Sequence, residues 1–312
     1  MSDIVTITPN PAVDVSTTVE KIVPVAKLRG TSQRRDPGGG GINVARVITR
    51  LGGDVTALYP VGGPTGLLLK QLIESEGVTS RTWTTAEDTR EDFFVQERAS
   101  GQPYRFILPG PTLSESEWQA GLSLLSGLEP FPRFVVGSGS LPRGVPADYY
   151  ARMAAICRAR GAQFILDTSG PALAAAVAGG VDLIKPSLHE MRDLVGGELT
   201  DATAWETAAR TMAASGKVGM VALTMGHLGA LLVTSKRVLR AQPLTMVPIN
   251  AVGAGDSFLG ALVAKLAANE PLEEAFRFAV AAGAAALLRT GTALCDPADI
   301  TRLLADVQLQ TA

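Results

Sequence analysis

A chain of 312 residues, 46% of them hydrophobic, can bury a sizeable core without disulfides or metal staples, as one large α/β domain or two smaller ones. Its 28 basic and 30 acidic residues leave a formal net charge of −2 with no long basic stripe, which argues against a nucleic-acid partner. Two distant cysteines, Cys157 and Cys295, and two histidines offer no paired spacing for structural zinc, and both thiols are expected to be buried and free.

The N-terminal segment MSDIVTITPNPAVD has neither the basic nor the apolar region of a signal peptide, so a soluble, cytoplasmic protein is expected. A first strand is predicted at 4–8, a short apolar run of the kind covered on both faces. Pro9-Asn10-Pro11 turn the chain and Asp14 follows. A carboxylate there can accept two sugar hydroxyls, or it can simply serve the turn. Residues 12–36 then leave the α/β pattern: VSTTVEKIV reads as extended, and Lys27 and Arg29 lie beyond it. Next comes PGGGGINVARVITRLGG, residues 37–53, with a helix near 42–51. Its four leading glycines let backbone pass close to a polar ligand. Asn43 offers a donor and an acceptor to a sugar hydroxyl, or caps the helix. No Lys-Ser/Thr follows the glycines, so this is not a Walker A loop.

A strand at 55–60 and a helix at 65–75 resume the alternation. A second extended stretch, about 88–108, contains FFVQERAS and YRFIL, with Ser100-Gly101 as a hairpin turn and Arg90 at its start. The two inserts are expected to form a small β-sheet lid over one end of the main sheet. Their cations either hold a substrate phosphate or remain solvated. Strands at 134–137, 163–167, 182–184 and 220–224 then alternate with helices near 115–126, 147–160, 188–195 and 202–214. This order predicts a mostly parallel sheet with right-handed crossovers. Ligands of such sheets bind beyond the carboxyl ends of the strands, and a lid there can exclude water.

Three motifs lie at or after these strand ends. In LIKPSLHE, residues 183–190, Lys185 can meet a nucleotide phosphate and Glu190 can organise Mg²⁺ through water, or the two form a surface charge pair. In LTMGHLGALL, residues 223–232, Gly226 and Gly229 let backbone approach a nucleotide, or mark a plain hairpin. In NAVGAGDSFLGAL, residues 250–262, Gly253, Ala254 and Gly255 lead into a helix whose free amides favour an anion. Asp256 in its first turn can take a proton from an attacking hydroxyl, or merely stabilise the helix start. A further helix is signalled after Pro271, with Glu273 and Glu274 at its positive end. The apolar stretch 275–288 contains Arg277 and is too short to span a bilayer. His189 and His227 receive no catalytic role.

The segments TITPNPAVD, KLRGT, PGGGGINVAR, SGSLPRGV, KPSLHE and VGAGD, with Thr89-Arg90, occur in one order across nearly the whole chain. In them the sequence resembles the ribokinase-like carbohydrate kinases and, within these, the PfkB-type phosphofructokinases of the ATP-dependent 6-phosphofructokinase group. The resemblance implies one ribokinase-like domain over 1–312, a three-layer αβα sandwich with a mostly parallel sheet and a β lid. It implies transfer of phosphate from ATP to the 1-hydroxyl of fructose 6-phosphate in glycolysis. The related 1-phosphofructokinases and tagatose-6-phosphate kinases commonly read GGKG where Gly40 stands here, which favours that acceptor.

By the same resemblance Asp256 is the general base, and Gly253, Ala254 and Gly255 form the anion hole. Asp14, Gly39, Gly40, Gly41 and Asn43 hold the sugar, Lys27 and Arg90 its 6-phosphate, and Gly139 makes a backbone contact near it. Lys185, Ser187, Glu190, Thr224, Gly226 and Gly229 line ATP and Mg²⁺. K⁺ is held mainly by carbonyls of Asn250, Val252, Ala286, Arg289, Gly291 and Ala293. Two positions depart from the family: Ser187 replaces the Asn of its Asn-x-x-Glu motif, and Asn250 stands where Asp or Ser is common. A homodimer paired through the lids is also implied, and an extended flap with apolar Val, Ile and Phe needs a partner for one face or edge.

Overall fold

The computed structural model describes residues 2–311. Its first half contains β1 (Ile4–Ile7), β2 (Ala12–Val19), β3 (Arg34–Gly38), α1 (Gly40–Arg50), β4 (Val55–Val61), α2 (Gly63–Ser75), β5 (Thr79–Thr84), β6 (Arg90–Glu97), β7 (Pro103–Phe106), α3 (Glu115–Ser126), β8 (Phe134–Ser138) and α4 (Tyr149–Ala159). The second half adds β9 (Gln163–Asp167), α5 (Gly170–Gly179), β10 (Val181–Ile184), α6 (Leu188–Val195), α7 (Ala202–Ala214), β11 (Val218–Thr224), β12 (Ala230–Thr234), β13 (Val238–Ala241), α8 (Ala254–Ala267), α9 (Leu272–Ala286), α10 (Pro297–Leu304) and β14 (Leu309–Thr311).

A ten-stranded sheet runs in the order β14-β13-β12-β11-β10-β9-β8-β1-β4-β5. From β5 to β11 every pairing is parallel, and β12, β13 and β14 add an antiparallel edge. Side chains of successive strand residues point to opposite faces. Val135 therefore joins the core under α3, α4, α5, α6 and α7, while Phe134 and Val136 join the core under α1, α2, α8 and α9. The result is the expected three-layer αβα sandwich. α10 packs on α9, where Ile300 and Leu303 meet Ala282 and Ala285. Among the described residues no helix is long and apolar enough to cross a membrane.

A second sheet, β3-β2-β6-β7, arises from the two inserts. The hairpin turn falls where Ser100-Gly101 signalled it, with Gly101 at φ 70°. The first insert is less regular than expected. β2 ends at Val19, and residues 20–33 form no strand because turns and charged, exposed side chains occupy them. Several elements carried no usable signal. β5 reads TSRTWT and buries only Trp83, as befits an edge strand. α5 is short and Ala-rich, and β13 and β14 follow no alternation; α10, absent from the sequence reading, does carry a start signal, Asp296 as its cap and Pro297 in its first turn.

Candidate active site

The helix α8 begins beyond the carboxyl ends of the parallel strands. Its N-cap, Gly253, has φ 75°, a left-handed conformation that favours glycine, and no side chain caps the helix. The first-turn amides are left for an anion. Gly253, Gly255 and Asp256 line a cavity of about 440 Å³. Ala254 is not on its wall.

α1 packs directly on α8 because Gly260 has no side chain: a Cβ there would meet Val47 Cγ1 at 2.8 Å. This close approach sets Asn43 beside Asp256, and Asn43 Nδ2 donates to Asp256 Oδ2 at 2.9 Å. Burial lifts the Asp256 carboxyl above the usual range; the Asn43 bond and the Lys185 charge oppose it. Gly39, Gly40 and Asn43 all line the cavity. Gly41 does not: it is buried where α1 lies on β1.

At the end of β9, Asp167 lines the cavity and pairs with the buried Lys185, Oδ1 to Nζ 3.1 Å. Burial pushes Asp167 up to about 6, against the pull of Lys185. Burial draws Lys185 down, but Asp167, Glu190 and Asp256 outweigh it and its pKa is raised. Glu190 also lines the cavity, while its Oε2 accepts from Ser187 N at 2.7 Å. Ser187 Oγ accepts from Glu190 N at 3.3 Å, so the pair forms a capping box on α6. Gly139 lies on the wall too. Its N–H donates to Asp167 O at 2.9 Å, and its carbonyl accepts from Tyr150 Oη at 2.8 Å and Thr168 Oγ1 at 2.9 Å. With both groups engaged, Gly139 shapes the wall.

The lid closes the other side. Asp14 on β2 stands in register with Asp36 and Asp92 on its two neighbours. Burial first, then the Asp92 charge, push Asp14 up to about 7. Arg90 lines the cavity, with Nη1 on Leu108 O at 3.1 Å and Nη2 on Asn10 O at 3.2 Å. Arg105 on β7 lines it as well. Sequence reading missed Arg105 and Asp167; both were visible only as a hairpin cation and the last residue of a strand.

Other expected residues lie off this wall. Lys27 is exposed in the irregular loop. Thr224 pairs with Ser187 across a short bridge, N to Pro186 O 3.0 Å, and Gly226 opens and Gly229 ends a 3₁₀ turn between β11 and β12. Of the expected K⁺ group only Val252 lines the cavity. The Asn250 side chain donates from Nδ2 to the Gly291 carbonyl and accepts at Oδ1 from Val252 N at 3.2 Å. It therefore staples together two loops that carry the expected carbonyls. The Arg289 guanidinium is committed to Asp299 and, at 3.2 Å, Asp296. Ala286 ends α9 and Ala293 lines a separate cavity. Among the described residues no three His, Cys, Asp or Glu side chains cluster as a metal site.

Residues 4–299 match the family profile described as pfkB family carbohydrate kinase. The chain is 44% identical over 299 residues to ATP-dependent 6-phosphofructokinase isozyme 2 of Mycobacterium tuberculosis, covering 96% of this chain and 88% of that one. It is 41% identical over 306 residues to the protein of the same name from Escherichia coli, covering 98% and 99%. Solved structures of Escherichia coli phosphofructokinase-2 superpose with a TM-score of 0.94 for the complex with potassium and 0.91 for that with fructose-6-phosphate, each over 98% of this chain and 99% of that one. On these matches the chain is an ATP-dependent sugar-phosphate kinase of the pfkB carbohydrate kinase family.

Proposed function

We propose that the enzyme transfers the γ-phosphate of ATP to the 1-hydroxyl of fructose 6-phosphate, giving fructose 1,6-bisphosphate and ADP. The observation that carries this is one cavity with Asp256 and free α8 amides on one wall and Arg90 and Arg105 on another. Arg90 and Arg105 bind the 6-phosphate as charged donors. Asp14 and Asn43 orient the sugar. The 1-hydroxyl gives its proton to Asp256 as its oxygen attacks the γ-phosphorus, and the bond to the β-phosphate oxygen breaks to release ADP. Amides of Gly253, Ala254 and Gly255 stabilise the charge on the transferring group. The solved complex of the Escherichia coli enzyme with fructose-6-phosphate supports this acceptor. So does Gly40, where related kinases of other acceptors commonly carry lysine.

The residues present fit the implied ions. Asp167 and Glu190 reach the cavity and would hold Mg²⁺ through water, leaving its other positions to phosphate oxygens. Mg²⁺ supplies positive charge to the phosphates. The 250–252 and 286–293 loops, stapled by Asn250, would present carbonyls to K⁺. Lys185 holds Asp167 in place beside them. Ser187, Thr224, Gly226 and Gly229 frame a nucleotide surface beyond the cavity, and Lys27 serves from the lid loop.

The chain works as one kinase domain in the cytoplasm, with lid inserts at about 12–36 and 88–108. Phe93, Tyr104, Phe106, Ile107 and Leu108 are exposed on the lid, an apolar set that suits pairing with a second lid in a dimer. The Escherichia coli enzyme has also been solved as a tetrameric inhibited form. A second reading, 1-phosphofructokinase, is favoured by relatives of that name, one 35% identical in Xanthomonas campestris over 89% of this chain and 88% of that one. An acceptor panel with ATP separates the two. Faster use of fructose 1-phosphate at sub-millimolar levels would overturn the proposed acceptor, and ligand binding without ADP release would indicate a sensor.

A further inference from the structure

We propose that Arg46 is a positioning residue that fixes the Asn43 amide and, through it, the Asp256 carboxylate. The proposal rests on the reading of Asp256 as the general base.

Arg46 is buried, with its side chain fully withdrawn from solvent. Burying a guanidinium is costly unless every donor finds a partner. Nε and Nη2 donate to Glu76 Oε1 at 2.9 and 2.6 Å, and Nη1 donates to Pro37 O at 2.8 Å and Asn43 Oδ1 at 3.0 Å. Asp36 Oδ1 lies 3.9 Å from Nη2. Glu76 is shared: Arg50 meets its Oε2 at 3.0 Å, and against its burial Arg46 first, then Arg50, hold its carboxyl below the usual range. The ion pair with Glu76 engages Nε and Nη2, and the remaining nitrogen, Nη1, is turned to Asn43.

A guanidinium only donates, so the Asn43 atom facing it must be the oxygen. That choice leaves Nδ2 to donate to Asp256 Oδ2 at 2.9 Å. Among the described residues Asp256 accepts this bond at Oδ2 and none at Oδ1, so Oδ1 is the atom left for the sugar hydroxyl. While Asp256 is ionised it also favours this amide orientation. Once Asp256 has taken the proton, that preference weakens, since a carboxylic acid both donates and accepts. Arg46 is then the anchor that keeps Nδ2 on Oδ2 and the new proton on Oδ1. Asn43 and Arg46 are three residues apart on α1 and so share a face, and the close α1–α8 contact delivers that face to Asp256.

The test is a double-mutant cycle on kcat, with protein concentration corrected for the folded fraction. Arg46→Met should lower kcat about 10–100-fold while the ATP KM stays within about twofold, the loss expected when a residue acts on the base through one intermediary. In an Asn43→Ala background, Arg46→Met should change kcat by less than about twofold. A purely structural arginine would lower folded yield or Tm in both backgrounds and leave kcat per folded molecule unchanged. Should Arg46→Met fail to fold, Glu76→Gln carries the same cycle, with a loss of about 3–10-fold that disappears with Asn43→Ala. Unchanged kcat, or losses that multiply across the cycle, would overturn the inference. An Asp256→Asn enzyme that keeps its rate would remove the base itself, a different failure visible in the same series.

Discussion

Asp256→Asn isolates the proton-accepting step because it preserves size and removes one charge. Asn43 Nδ2 points at Oδ2 from 2.9 Å, so the new amide must offer its oxygen there and turn its NH₂ toward the substrate. A donor then occupies the place where the hydroxyl needs an acceptor. General-base catalysis contributes about 10²–10⁴-fold, or roughly 3–5 kcal/mol of barrier, and kcat should fall by that range. The ATP KM should change little, because the anion-binding groups of α8 are backbone amides. Tm should not fall, since burial holds the Asp256 carboxyl above its ordinary range and an amide carries no such desolvation cost. ADP release coupled to NADH oxidation, at saturating ATP and sugar phosphate, measures the rate. A variant keeping more than about a tenth of the parental kcat would refute the assignment of the base.

Arg90→Ala should raise the sugar-phosphate KM about 10–100-fold with a smaller effect on the ATP KM, as expected for loss of one charged hydrogen bond; an unchanged KM would remove Arg90 from the phosphate site. Gly253→Ala forces a left-handed alanine at φ 75° whose Cβ would lie 2.7 Å from Leu294 Cδ2, so it should cost about 1–2 kcal/mol of stability and lower kcat by displacing the amides; parental Tm and kcat would contradict this. Asp14 is pushed up to about 7 from 3.8, so its contribution to stability is full below 3.8 and is lost as pH rises through about 7. Asp14→Asn should therefore raise Tm relative to the parent at pH 8, with the gap closing toward pH 4; a gap independent of pH would refute the burial argument. Phe106→Glu should shift the species seen by light scattering toward monomer, and an unchanged mass would exclude that face of the lid as the interface.

Features written into contiguous residues were legible before the fold. The glycine run at the start of α1, the small residues before Asp256 and the Ser100-Gly101 turn each act within a few residues of themselves. The parallel strands were legible because burial on both faces leaves an unbroken apolar run. β5 was not, since only Trp83 among its residues is buried. Asp167 and Arg105 were not, because their meaning comes from partners distant in the chain: Lys185 for one, the far wall of the cavity for the other. The Ser187-x-x-Glu190 spacing was itself a capping-box signal, which the structure bears out at the start of α6 beside the nucleotide role proposed for Ser187. Arg46 lay in plain view within NVAR, but its burial and its bond to Asn43 depend on how α1 meets α2 and α8.

The most direct measurement is ³¹P NMR of the product formed from ATP and fructose 6-phosphate. A new monoester on carbon 1, appearing in step with ADP and absent with Asp256→Asn, is the expected result. ADP formed without a new sugar phosphoester, or a product that forms equally fast with Asp256→Asn, would contradict the account.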